Sequence, residues 1–117
     1  MANAIVISGS TVGATTPNAP TGLTATASFD GVSLRWTNPT NATIDYIQIV
    51  SGNVNNRANA YVTTLANIKS NSFYDHTTSA ETQYYWVRAI NTVGTAGNYN
   101  AAATSGVSAT QIGRAHV

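Results

Sequence analysis

The sequence predicts an all-β fold, a seven-stranded antiparallel sandwich of two sheets. Three observations predict it. Between residues 17 and 110, apolar and polar residues alternate with period two in short runs, and no run has the 3.6-residue period of a helix. The runs are rich in Thr, Val, Ile, Tyr and Trp, side chains that suit a pleated, half-buried surface. Clusters of Gly, Pro, Asn, Asp and Ser separate the runs at the short intervals expected of a sandwich.

The elements follow in order. Pro17 and Pro20 fix an extended entry, because proline locks its own φ and turns the preceding residue away from the helical region. Leu23 and Ala25 alternate with Thr24 and Thr26 in a first strand. Asp30-Gly31 is a hairpin-turn signal. Val32, Leu34 and Trp36 then face inward, with Ser33, Arg35 and Thr37 outward. Asn38-Pro39-Thr40-Asn41 breaks the chain. Ile47 and Ile49 mark the next inward face, with Tyr46, Gln48 and Val50 on the other side.

The stretch from Gly52 to Asn59 is amide-rich and reads as a loop. Ala60 to Leu65 reads as an edge strand, and Ser72 to Asp75 as a short strand around Phe73. The strongest strand signal is Gln83 to Asn91, with Tyr85, Val87 and Ala89 on one face and Tyr84, Trp86, Arg88 and Ile90 on the other. Thr92 to Asn98, with Gly94 and Gly97, reads as a loop, and a last strand is expected in the region Ala101 to Thr110. The expected core is Leu23, Val32, Leu34, Trp36, Ile47, Ile49, Phe73, Tyr85, Val87 and Ala89.

Composition narrows the function. The chain has 117 residues, enough for one domain with one modest core. Four residues are acidic and five basic, 8% of the chain against roughly 25% in average proteins. Asn, Thr and Ser supply 41 residues and Ala 18, so the surface is built from uncharged amides and hydroxyls. A net charge of +1 gives no basic stripe for a nucleic-acid backbone. No stretch approaches 18 consecutive apolar residues, so membrane insertion is not expected. Cysteine is absent, which excludes a disulfide framework and a thiolate zinc site.

Three segments are expected: an N-terminal extension or linker at 1–16, the sandwich at 17–110, and a tail at 111–117. The start lacks a basic region and a small-residue cleavage site, so it does not read as a signal peptide. Ile5 to Ile7 reads as one short strand or the tail of a preceding module, and Ser8 to Thr16 as a flexible linker. The six residues from Ile112 to Val117 back-translate as ATC-GGA-AGA-GCA-CAC-GTC, a widely used sequencing-library adapter whose next codon in frame is the stop TGA. The expectation is read-through into adapter DNA from Ile112, in a natural protein that continues beyond about Gln111. The alternative is a native basic tail, and the codons of the parent contig decide between them. Setting the tail aside removes His116 and Arg114 and leaves a formal net charge of zero.

Pro17-x-x-Pro20-x-x-Leu23, Val32-x-Leu34-x-Trp36 and Tyr85-x-Val87-x-Ala89-x-Asn91-x-x-Gly94 stand in the order and spacing of a known pattern. On these residues the chain from Pro17 to about Thr110 resembles a fibronectin type III domain, an immunoglobulin-like sandwich. The resemblance implies that Trp36 is the tryptophan buried between the sheets. Two further stretches narrow it: Ile47-Gln48-Ile49 followed by Asn55-Asn56-Arg57-Ala58-x-Ala60, and Tyr84-Tyr85-Trp86-Val87-Arg88-Ala89-Ile90-Asn91-Thr92-x-Gly94 running on into Ala96-Gly97. These are similar to type III domains of host-specificity tail-tip proteins (protein J type) of long-tailed bacteriophages. That resemblance implies a structural and adhesive module of the virion tail tip, assembled in the host cytoplasm. Its implied partners are other tail-tip modules or subunits and a bacterial surface receptor, with homo-oligomer formation through the parent protein. Two places depart from the family pattern. Gln83 occupies the position, six before the alanine, where the family often carries a tyrosine whose hydroxyl pins a corner of the sandwich. Thr77-Thr78-Ser79 occupies the approach where a leucine is usual, so a looser turn is expected there.

Catalysis needs positioned ionisable groups whose environments separate their pKa values. The sandwich offers His76, Asp30, Asp45, Asp75 and Glu81, without a Gly-x-Ser-x-Gly elbow or a second histidine. Asp75 and His76 are neighbours on a strand, so their side chains should diverge. No enzyme activity, metal or cofactor is expected. The candidate interaction face is Tyr84, Trp86 and Arg88 with Tyr46, Gln48 and Val50 on the neighbouring strand, an aromatic-plus-arginine patch of the kind found in protein contacts and sugar stacking. Such a patch also packs against its own loops or against neighbouring modules. The candidate loop residues are Asn53, Asn55, Asn56, Arg57, Asn91, Thr92 and Asn98. Asn41-Ala42-Thr43 matches a glycosylation sequon, read as coincidence in a protein made in bacterial cytoplasm. The expected function is a non-catalytic spacer or docking module of a phage tail tip. The alternative is an accessory type III spacer in a secreted bacterial carbohydrate-active enzyme.

Overall fold

The structure is a computed structural model that describes residues 15–77 and 79–112. Residues 1–14, Thr78 and residues 113–117 lie outside the described residues, and with them the expectations for Ile5 to Ile7, most of the linker and most of the tail. Among the described residues seven strands follow in order: β1 (Thr21–Ala27), β2 (Gly31–Thr37), β3 (Ile44–Gly52), β4 (Thr63–Ile68), β5 (Ser72–His76), β6 (Gln83–Asn91) and β7 (Val107–Ala109). They form a three-stranded sheet, β1-β2-β5, and a four-stranded sheet, β4-β3-β6-β7. Every pairing is antiparallel.

Period-two alternation puts one side of each sheet into the space between them. The three-stranded sheet contributes Leu23, Val32, Leu34 and Trp36, and the four-stranded sheet Ile47, Ile49, Tyr85, Val87 and Ala89. The register sets Ile47 against Ala89 and Ile49 against Val87, so apolar side chains meet across β3 and β6. Burying each such aliphatic side chain contributes roughly 1.5–3 kcal/mol. Trp36 is buried as the family resemblance implies, and its indole Nε1 donates to Asn38 Oδ1 at 2.7 Å. Phe73 is a correction: it is half-buried and packs against the core from β5, an edge strand with one flank open. Its inward neighbour Asp75 is the buried residue of that strand.

Three strands have boundaries that differ from expectation. The edge strand begins at Thr63 and reaches Ile68, not Ala60 to Leu65. Asparagine side chains hold the preceding segment in local turns: Asn56 Oδ1 accepts from the Ala58 N–H at 3.1 Å and Asn59 Oδ1 from the Tyr61 N–H at 2.9 Å. These bonds compete with the sheet and delay it. The last strand is only Val107–Ala109, because the chain before it leaves the ladder to cross the outer face of the four-stranded sheet. β3, in turn, runs on through Gly52, which sequence reading placed in a loop.

At the corner before β6, Gln83 Nε2 reaches the Glu81 carbonyl at 3.4 Å, in place of the family's tyrosine contact. The buried phenol is Tyr85, whose hydroxyl donates to Asp75 Oδ2 at 2.7 Å and ties the two sheets together. Hydroxyls organise the turn where a leucine is usual: the Ser79 N–H donates to Thr77 Oγ1 and the Glu81 N–H to Ser79 Oγ, both at 3.1 Å.

The entry segment packs tightly. Pro17 and Pro20 are buried, and the Gly97 N–H donates to the Ala89 carbonyl at 2.9 Å. A Cβ on Gly97 would run into the Pro17 carbonyl. Gly97→Ala is therefore expected to cost about 1–3 kcal/mol, as overpacking does. The check is a lower denaturant midpoint with an unchanged m value.

Candidate functional site

The outer face of β3 and β6 carries the residues that sequence reading assigned to an interaction surface. Alternation places them there correctly, and Val50 faces Trp86 across the ladder while Gln48 faces Arg88. Their exposure is the correction. Trp86 is fully buried and Val50 is 6% exposed, and with Val62 they form a second, smaller core. Val54, Tyr84, Tyr99 and Ala101 pack against it. The cover is the segment between β6 and β7. The indole Nε1 of Trp86 donates to the Ala102 carbonyl at 3.0 Å, and the Val87 N–H donates to Asn100 Oδ1 at 2.9 Å. Gly106 lies so close that a Cβ there would sit 2.7 Å from the Trp86 ring. Ile90, on the same face, is also buried.

Arg57 holds this cover in place. Its backbone N–H donates to the Ala103 carbonyl at 2.8 Å and its Nη1 to the Ala101 carbonyl at 3.0 Å. Its guanidinium carbon lies 3.9 Å from the Tyr99 ring centroid and 5.9 Å from that of Trp86. Arg88 reaches the same tyrosine, at 4.7 Å. The Arg88 Nε–H donates to Gln48 Oε1 at 2.6 Å, and Gln48 Nε2 donates to Thr64 Oγ1 at 3.2 Å. What remains open on this face is thus a row of half-buried and exposed polar groups, with Tyr46 and Asn67 beside it. Each cation–π contact contributes about 0.5–1 kcal/mol where water has access.

Most of the candidate loop residues have structural work. Asn53 Nδ2 donates to Glu81 Oε1 at 2.6 Å, and Asn55 Oδ1 accepts from the Gly106 N–H at 2.9 Å. Asn91 ends β6 as the strand reading expected, but it is fully buried and not an open loop residue. Its Oδ1 accepts from the Val93 and Thr95 N–H groups at 3.1 and 2.8 Å, and its Nδ2 donates to the Thr15 carbonyl at 2.9 Å. Thr92 and Asn98 stay exposed. Asn41, the sequon asparagine, has its amide engaged by the entry segment: Nδ2 donates to the Thr16 carbonyl at 3.0 Å and Oδ1 accepts from the Asn18 N–H at 2.8 Å.

Tyr99 was missed by sequence reading. Its signal was indirect: Trp86 and Tyr84 on an outer face need cover, and Asn98-Tyr99-Asn100 is the nearest aromatic segment downstream.

Among the described residues the ionisable groups do not converge on a reacting position. Asp45 pairs with Lys69 at 3.0 Å on the surface. Asp75 points inward to Tyr85 while His76 is exposed, as their alternation requires. His76 Nδ1 lies 3.8 Å from Asp30 Oδ2, and its ring meets Tyr74 edge-on at 4.6 Å. Tyr74 donates to Asp30, which raises its phenol pKa. Ser28 Oγ bonds the Tyr74 hydroxyl and the Gly31 carbonyl, so it is not paired with the histidine as a nucleophile would be. Among the described residues no group of three or more His, Cys, Asp or Glu side chains could hold a metal ion.

The two packed sheets, with spatial order β1-β2-β5 over β4-β3-β6-β7, define an immunoglobulin-like sandwich. The fold is that of a fibronectin type III domain. The sixth such domain of the human fibronectin type III domain containing protein 3 is similar, with a TM-score of 0.64 at 19% identity, covering 85% of this chain and 89% of that one. An Fn3-like protein from Clostridium thermocellum gives 0.57 at 22% identity over 74% of this chain and 88% of its own. A β-1,2-glucanase from Parabacteroides distasonis gives 0.63 at 22% identity over 84% of this chain, which spans only 14% of the glucanase. No family model matches the chain. No curated protein matches it either.

Proposed function

We propose that the chain is a non-catalytic spacer or docking module of a longer protein. The observation that carries this reading is where the described chain enters and leaves the sandwich. Thr15 and Thr16 are held by Asn91 at the end of β6 and by Asn41 in the turn after β2, whereas Ala109 pairs with Gln83 at the start of β6. Entry and exit therefore lie at opposite ends of the sandwich, the arrangement that lets modules follow one another in line. The dispersed ionisable groups support the same reading: among the described residues His76 faces Asp30 and Tyr74, not a serine or threonine hydroxyl.

The parent protein we infer is a phage host-specificity tail-tip protein, from the motif residues Tyr84 to Gly94 and Asn55 to Ala60. Its place is the virion tail tip, among other tail-tip subunits and facing a bacterial surface receptor. Immunogold labelling of purified virions with an antibody to the sandwich tests this. Gold at the tail tip is expected; gold absent from virions, with the protein in a secreted fraction, would sink it. A second reading is an accessory spacer of a secreted carbohydrate-active enzyme, favoured by the likeness to part of the glucanase chain. A glycoside hydrolase domain on the same polypeptide is its expected signature.

A further inference from the structure

We propose that the open part of the outer face, at Arg57, Tyr99 and Arg88, binds a saccharide that carries a carboxylate. The inference rests on the chain being a non-catalytic module and stands for either parent protein. Among the described residues the cations are Arg35, Arg57, Lys69 and Arg88, and two of them converge on the ring of Tyr99. Their guanidinium carbons are no further apart than 3.9 and 4.7 Å laid end to end. Neither has a carboxylate within ion-pairing distance among the described residues, although Lys69 has one.

The described carboxylates are committed elsewhere: Asp30 to Tyr74, Asp45 to Lys69, Asp75 to Tyr85 and Glu81 to Asn53. The face is therefore a fixed positive spot on an otherwise nearly neutral molecule. Each side chain is held by one internal bond, Arg57 Nη1 to the Ala101 carbonyl and Arg88 Nε to Gln48. That holds the guanidinium planes and leaves further N–H groups for an oxygen ligand, since arginine carries five donors. Two guanidiniums gathered at one ring repel each other, and one carboxylate beside them offsets that repulsion.

The neighbours of the arginines set the rest of the ligand. Gln48, Thr64 and Asn67 continue the row with amide and hydroxyl groups and no charge. Tyr46 adds a half-buried ring on the same side of β3. One anionic group flanked by hydroxyls fits this arrangement. A nucleic acid or a run of acidic residues needs many cations, and the net charge of +1 does not supply them.

The test is a calorimetric titration of the full 117-residue chain with a galacturonic acid trimer and with its methyl ester, in which each carboxylate is replaced by an uncharged ester. The acid should bind, with affinity falling as salt is added, and the ester should bind at least about tenfold more weakly. Arg88→Gln should weaken the acid by about tenfold or more with circular dichroism unchanged, and Arg88→Lys should restore part of it. Equal affinity for acid and ester would overturn the proposal, as would no binding of the acid or no effect of Arg88→Gln. Tighter binding of a hexaglutamate peptide than of the trimer would overturn the saccharide assignment. If Arg88→Gln disturbs the fold, the acid-against-ester comparison on the unaltered chain still decides. The outcome is independent of the virion labelling, so failure of one does not imply failure of the other.

Discussion

Trp86→Ala is expected to destabilise the domain by about 3–5 kcal/mol, the range for removing a large aromatic from a packed core. The residue is fully buried, its indole N–H is satisfied by the Ala102 carbonyl, and Gly106 leaves no slack against the ring. Truncation would empty the second core and release Arg57 and Tyr99 from the surface they cover. Trp86→Phe keeps most of the volume and loses the N–H bond, so about 1–2 kcal/mol is expected. Chemical denaturation followed by circular dichroism measures both. A change within about 0.5 kcal/mol for Trp86→Ala is what an exposed surface residue would give, and it would overturn the placement.

Tyr85→Phe is expected to cost about 1.5–3 kcal/mol, because it leaves the buried Asp75 carboxylate without its phenol donor. The same pair shapes the alkaline limit of stability. Burial first, then the hydrogen bond to Asp75, push the Tyr85 phenol far above its ordinary value of 10.0. The folded state thus keeps Tyr85 protonated where the unfolded chain would ionise it. A group raised in this way contributes stability that is complete below about pH 10 and is lost as pH climbs from there toward the folded value. Denaturant midpoints between about pH 8 and about pH 11 should fall with a steep upper limb. In Tyr85→Phe that limb should be shallower, with a lower plateau. An unchanged limb would remove Tyr85 as its source.

Much of the framework was legible in the residues. Val32, Leu34 and Trp36, or Tyr85, Val87 and Ala89, share a face because successive Cβ atoms point to opposite sides of a strand, and no tertiary information is needed to see it. The Asp30-Gly31 turn was visible for the same local reason: the β1–β2 pairing closes at Ala27 and Val32 on either side of it. Boundaries set by side-chain competition were less legible. Asn56 and Asn59 hold the loop to Val62 through bonds to backbone two residues on, and that choice over a strand depends on β3 being free to pair only from Thr63 onward.

The face of Trp86 and Val50 separates the two kinds of knowledge. Their position on the outer side of the four-stranded sheet followed from alternation alone, and the structure agrees. Their burial did not, because alternation says which side a residue occupies and nothing about what else packs on that side. The cover comes from Tyr99 to Gly106 and is pinned by Arg57 from a third part of the chain. By itself the sequence determined an all-β sandwich with a named inner face, through the period of the strand. Only the tertiary structure decided that the supposed contact patch is a second core, because burial depends on non-local segments meeting in space.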